Sequence, residues 1–292
     1  MHTETPLVFQ CQGDYLTAIV HHAAESSGLG VVLVVGGPQY RVGSHRQFVL
    51  LARLLAANGV PVMRFDYRGM GDSEGDMRSF AAVDDDINAA ITAFYQACPE
   101  LRGVVLWGLC DAASAALFYA YQDLRVKGLA LLNPWVFTER GAAKTYLKYY
   151  YLQRLVNPEL WRKVFSLKFE YRQSVVSLLN LRKKFMRNKT VYSVAMSKAE
   201  LVDDALDLPT RLRECLQRFQ HPVLLILSGR DLTADEFKET FKHDKKWRTL
   251  LANSRVTRHD SVGADHTFSS QVWRDQVAAW TLAWLKTLPA KN

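Results

Sequence analysis

Cysteine is scarce in this 292-residue chain: there are four, at positions 11, 98, 110 and 215, and no C-x-x-C pair. Spacing that wide and irregular argues against a disulfide framework or a zinc site, and for free thiols in a reducing compartment. Long apolar runs are missing too. None approaches the roughly 18–20 residues that span a bilayer, so no transmembrane segment is expected. The opening MHTETPLVFQCQGDY lacks a basic stretch followed by an apolar core. A secretory signal is therefore not expected, and a cytoplasmic location is the default. No internal repeat and no low-complexity tract interrupts the chain. Acidic residues nearly vanish from one stretch: Arg140 to Lys189 holds thirteen Lys/Arg against only Glu159 and Glu170. That segment carries an excess of +11, so the rest of the chain is at −3 although the whole is at +8. The basicity is a local device and not a property of the whole surface.

What is present is an alternation. PLVFQCQ and YLTAIVHH read as an antiparallel pair turning at Gly13 and Asp14. GVVLVVGG is a continuous β-branched run, as in a strand buried on both faces. HRQFVLLARLLAANG has helical spacing and stops at Gly59. The pattern repeats with strand VPVMRFDYRG, helix FAAVDDDINAAITAFYQAC, strand GVVLWG, a helix from near Cys110, and strand VKGLALLNPWV. It lapses over a helical, basic and aromatic stretch. It then resumes with HPVLLILSGRD, the helical ADEFKETF, strand SRVTRHD and helix TFSSQVWRDQVAAWTLAWLKTL. Buried strands alternating with amphipathic helices predict an α/β domain, a mostly parallel central sheet flanked by helices. The predicted core is 1–137 with 221–292, and 138–220 is a helical lid insertion.

Three positions at strand ends bear chemistry. Cys110 stands where an apolar strand passes at once into an alanine-rich helix, with Gly108 two before it and Ala112 two after it. A turn that sharp needs strained backbone at its tip and tiny neighbours on either side, and it exposes the tip residue. A helix N-terminus beside the sulfur favours thiolate. The bland alternative is a small buried hydrophobe, the usual fate of free cysteine. Asp231 follows the strand in LLILSGRDLTADEF, where an aspartate commonly caps a helix. His266 lies in the loop SVGADHTFSS. All three follow strands of one parallel sheet, whose carboxyl ends border a single crevice.

The order nucleophile, acid, base resembles that of α/β-hydrolases, and the resemblance covers nearly the whole chain. RFDYRGMGDSEG is similar to the D-x-R-G-x-G-x-S loop of that superfamily, and GADHTF to its histidine loop. More narrowly, WGLCDAASAAL with GGPQYRVGSHRQF resembles the exosortase A system-associated hydrolase 1 family, bacterial proteins encoded near exopolysaccharide and protein-sorting machinery. The resemblance implies the α/β-hydrolase fold and a presumed hydrolase activity. It puts Cys110 where serine is usual, Asp231 as the acid and His266 as the base. The Asp111 backbone N–H would be one oxyanion donor. Many relatives take the second donor from the residue after His-Gly, but here the loop reads Gly36-Gly37-Pro38, and proline has no N–H. Gln39 is the next candidate. The acid loop Gly229-Arg230-Asp231 is one residue tighter than the commoner G-x-x-D, which leaves Asp235 as a backup.

Arg68 and Asp66 are expected to tie loops together, and Asp84, Asp85 and Asp86 to complement a helix N-terminus. No ligands are spaced for a metal, and no cofactor is implied. Trp280 and Trp284 are expected to pack on the sheet. The expected activity is cleavage of an ester or thioester through an acyl-cysteine. Two alternatives stay open: acyl transfer from a CoA or carrier thioester to a hydroxyl, and a non-catalytic binding module. The aromatic rings between Tyr146 and Tyr171 are candidates for an acyl pocket or for the lid's own core. The lid's basic charge would suit CoA, an acyl carrier protein or an anionic membrane surface in peripheral contact. Nucleic acid is not expected, since no recognised motif accompanies the charge.

Overall fold

The structure is a computed structural model that describes residues 3–37, 39–136 and 207–289. The expected lid as far as residue 206, with its aromatic rings and its +11 stretch, lies outside the described residues, as does Pro38. Those described belong to one compact unit.

Strands β1 (Glu4–Cys11) and β2 (Asp14–His21) form the antiparallel hairpin expected at Gly13. Then follow β3 (Leu29–Val34), α1 (Gln47–Ala57), β4 (Val62–Phe65), α2 (Asp84–Ala97), β5 (Gly103–Leu109), α3 (Asp111–Ala120) and β6 (Val126–Leu132). After the gap come α4 (Leu208–Arg218), β7 (Val223–Ser228), α5 (Leu232–His243), α6 (Lys245–Leu251), β8 (Val256–Ser261) and α7 (Gln271–Leu285). The eight strands make one sheet in the order β1-β2-β4-β3-β5-β6-β7-β8. Only β1–β2 and β2–β4 pair antiparallel; the other neighbours are parallel. This is the α/β-hydrolase architecture.

The continuous apolar runs are strands with both faces covered, and every residue of β4, β5 and β7 is buried. Alternation within them divides two cores. Val31, Leu33, Val105 and Trp107 face α1 and α7, packing with Phe48, Leu55 and Trp284. Val32, Val34, Val104 and Leu106 face the other side, with Ile87, Ile91 and Phe94 of α2 and Leu212 and Leu216 of α4. Trp284 is thus core, as expected, while Trp280 is half-buried and stacks on the His259 ring at 4.5 Å.

Several boundaries differ from those read in sequence. Residues 208–218, assigned there to the insertion, form α4. It is capped by Asp207, whose carboxylate accepts from Thr210 N–H, and it packs into the core. Helix α6 was not anticipated: Asp244 caps it through Lys246 N–H and Trp247 N–H, and it buries Trp247. Helix α1 starts two residues late because His45 and Arg46 hold positive φ, 53° and 59°.

Arg68 and Asp66 do tie loops, each with a partner of its own. Arg68 grips the buried Asp86 through Nε (2.9 Å) and Nη2 (2.8 Å) and reaches the exposed Asp85 at 3.8 Å, so two of the three acids on the first turn of α2 serve ion pairs. Asp66 accepts from the Arg41 backbone and guanidinium, and Arg41 also meets Asp72 at 2.6 Å. Removing one member of the buried Arg68–Asp86 pair would strand the other charge away from water.

Candidate active site

Cys110 joins β5 to α3 with φ 64° and ψ −126°, outside the regions open to ordinary residues. The surroundings hold it there. Its N–H donates to Leu132 O (2.9 Å), and its carbonyl accepts from Ala113 N–H (3.1 Å) and Trp135 N–H (3.2 Å). Ser114 Oγ in turn donates to Trp135 O (2.8 Å). The glycine two before is required: a Cβ on Gly108 would sit 2.6 Å from the Ala112 carbonyl. Cys110 is half-exposed, while Cys11, Cys98 and Cys215 are buried, and burial pushes each of these three up to about 11.

Asp231 and His266 meet. His266 Nδ1 lies 2.9 Å from Asp231 Oδ2. The same carboxylate also caps α5, accepting from Thr233 N–H through Oδ1 and Ala234 N–H through Oδ2, each at 3.1 Å. Asp235 is not the partner: it pairs with Lys238 at 3.4 Å. Cys110 also acts on the His266 ring. Burial pulls the imidazolium's pKa down, but hydrogen bonds to Asp231 and Cys110 and the charges of both carry it up to about 10. The carboxylate and the imidazole are hydrogen-bonded, and the thiol lies near enough to act on the imidazole's charge.

That shift has a consequence for stability. A histidine whose pKa is raised on folding from 6.5 to about 10 binds its proton more tightly in the folded state. Its contribution is complete below pH 6.5 and is lost as pH rises towards 10. The melting temperature of the wild type should exceed that of His266→Gln most at pH 6, with the difference narrowing between pH 7 and 10 in parallel thermal scans.

The two oxyanion candidates are placed differently from one another. Asp111 opens α3 beside Cys110, and its side chain, not foreseen as a participant, accepts from Gly37 N–H through Oδ2 (2.9 Å) and Ala112 N–H through Oδ1 (3.0 Å). Gly36 must be glycine, since a Cβ there would fall 2.1 Å from Asp111 Oδ1. Burial raises the Asp111 carboxyl above its ordinary value, against the pull of the neighbouring backbone N–H groups and His266. Gln39 uses its side-chain oxygen within its own loop, accepting from Ser44 N–H at 3.2 Å.

Sequence reading missed Asn133. It is fully buried just past β6, with φ 43°. Its Oδ1 accepts from Ser228 N–H (2.8 Å), and its Nδ2 donates to Ser228 Oγ (2.8 Å) and His266 O (3.1 Å). Ser228 Oγ donates to Asp265 O at 2.8 Å. One amide thus ties the end of β7 to the histidine loop. The available signal was an Asn directly after a strand and before Pro134, a residue type that tolerates left-handed backbone. Asn133→Ala should cost about 2–4 kcal/mol, because the buried Ser228 N–H and the His266 carbonyl lose their partner. Urea unfolding measures it.

Residues 29–257 match the family described as serine aminopeptidase, S33. No curated protein matches the sequence. Among solved structures, an esterase of Pyrococcus furiosus superposes with a TM-score of 0.67 at 16% identity, covering 98% of this chain and 92% of that one. An α/β hydrolase of Penicillium sp. gives 0.63 at 15% identity, covering 99% and 100% of the two chains. An α-β serine hydrolase homologue of Coxiella burnetii gives 0.59 at 14%, covering 96% and 97%. Likeness at these identities is likeness of fold.

Proposed function

The chain belongs to the S33 serine aminopeptidase-like family of α/β hydrolases, and on that footing we propose that it is a cysteine-dependent hydrolase of esters or thioesters, with Cys110, His266 and Asp231 as nucleophile, base and acid. The observation that carries this reading is the 2.9 Å hydrogen bond between His266 and Asp231, with Cys110, which acts on the same imidazole, at the tip of a strained strand-to-helix turn. In the reaction, Cys110 Sγ attacks the acyl carbon as His266 holds the thiol proton. The C–O or C–S bond to the leaving group breaks, and His266 delivers the proton to the departing alkoxide or thiolate. Water then attacks the acyl-cysteine, gives a proton to His266, and releases the acid and the thiol. Asp231 holds the imidazole's tautomer and balances its charge throughout. The Asp111 N–H serves the oxyanion, with Gln39 N–H as the second donor in place of Pro38.

Sulfur narrows the substrate. An acyl-cysteine is itself a thioester, nearly equal in energy to a thioester substrate. This favours thioesters and activated esters over amides. It also supports the second reading, acyl transfer from a CoA or carrier thioester to a hydroxyl acceptor. The segment before α4 acts as the lid, and its +11 between residues 140 and 189 attracts the phosphates of CoA or an acidic carrier protein. The WGLCDAASAAL and GGPQYRVGSHRQF motifs support membership of the exosortase-associated subfamily and a cytoplasmic role linked to exopolysaccharide systems.

Intact-protein mass spectrometry after mixing with a panel of acyl thioesters tests the reading. An acyl adduct on Cys110 that decays in water supports the hydrolase. An adduct that decays only with a sugar acceptor supports transfer. No adduct with any acyl donor leaves the third alternative, a module that binds a partner without chemistry.

A further inference from the structure

The sheet has two edges, and the sequence treats them differently. On β1, the bond from His22 N–H to Thr3 O and the pairing of Glu4 with His21 turn Thr5, Leu7 and Phe9 towards β2 and leave Pro6 pointing outward. A proline there deletes an outward donor, a common way of blunting an edge. Strand β8 has no such device. Val223 N–H donates to Arg255 O and Gly229 N–H to Ser261 O, so the odd-numbered residues of β8 face β7. Arg258 and Asp260 point their backbone N–H and C=O groups away, and no described strand pairs with that side.

We propose that this edge binds a second copy of the chain: β8 pairs antiparallel with β8 of its copy across a two-fold axis at His259. In that register Arg258 stands opposite Asp260 of the second copy, and Asp260 opposite Arg258. Both positions carry outward backbone groups, so they form the hydrogen-bonded pairs of an antiparallel ladder. Their side chains share one face, where Arg258 NH2 lies 2.9 Å from Asp260 Oδ1, and the guanidinium is steadied 5.1 Å over the Phe241 ring. At one end Val262, 81% exposed, comes opposite Val256 of the copy. On the other face, the His259 ring stacked on Trp280 meets its equivalent at the axis.

The charges select this register. An axis at position 258 would oppose Arg258 to itself, and one at 260 would oppose Asp260 to itself. An axis between two residues would match an outward position with an inward one and lose the ladder. Edge charges usually repel a second strand. Here the two signs lie two residues apart, and an antiparallel copy converts that spacing into attraction.

The test is sedimentation equilibrium of the full chain, with far-UV circular dichroism to confirm folding. The wild type should be a dimer at micromolar concentration. Arg258→Asp opposes two aspartates on each side of the axis, and Asp260→Arg opposes two arginines. Each should weaken the dimer by about 10-fold or more. Both side chains are partly exposed, so the monomer should keep its fold. The double exchange, Arg258→Asp with Asp260→Arg, restores opposite charges and should restore the dimer. A monomeric wild type, single reversals without effect, or a double exchange that stays monomeric would each overturn the proposal.

Discussion

Replacing Cys110 by Ala is expected to reduce turnover of an acyl thioester by about 10⁴-fold or more, the scale on which removal of a nucleophile acts. The fold should survive. Alanine is smaller than cysteine, and the turn is held by backbone bonds from Cys110 to Leu132, Ala113 and Trp135 that do not involve sulfur. Loss of activity at an unchanged melting temperature therefore isolates the thiol's chemistry. Iodoacetamide gives a second readout. Cys11, Cys98 and Cys215 are buried and pushed up to about 11, so they stay protonated and shielded at neutral pH. Alkylation should fall on Cys110 alone, vanish in Cys110→Ala, and slow in His266→Ala. Equal labelling of all four cysteines would sink the assignment.

Asp231→Asn should be nearly as damaging to turnover, by about 10³–10⁴-fold, yet mild for stability. Asparagine caps helices about as well as aspartate, because its one amide oxygen still accepts from a first-turn N–H, that of Thr233 or of Ala234. An amide cannot serve them and His266 Nδ1 through the same two oxygens. If its NH2 faces the ring, two donors collide and the tautomer is lost; in either orientation the imidazolium loses its counter-charge. Asp231→Ala removes the cap as well and should cost about 1 kcal/mol more. Comparing kcat and urea midpoints of the two variants separates the capping role from the chemical one. If Asp231→Asn retains wild-type kcat, Asp231 is a cap and nothing more.

Legibility divides by the range of the interaction. The sheet could be read because buried strands and amphipathic helices write themselves in periods of two and 3.6. Val31 to Val34 alternate between the two cores, as their position in a covered strand requires. The turn at Cys110 could be read because its steric demands fall within two residues on either side, at Gly108 and Ala112. Helix α6 was missed because it is a single short element whose cue, Asp244, resembles any other loop aspartate.

By itself the sequence determined the order of elements, the class of sheet, and the placing of a thiol, a carboxylate and an imidazole after three different strands. These follow from side-chain size and periodicity over a few neighbouring residues. Only the tertiary structure decided which groups touch. Arg68 takes Asp86, Asp231 and not Asp235 meets His266, the Asp111 carboxylate claims Gly37 N–H, and Asn133 holds the histidine loop. These contacts join residues that are distant in the chain. Their geometry depends on how strand ends are staggered across the sheet, which no local pattern records.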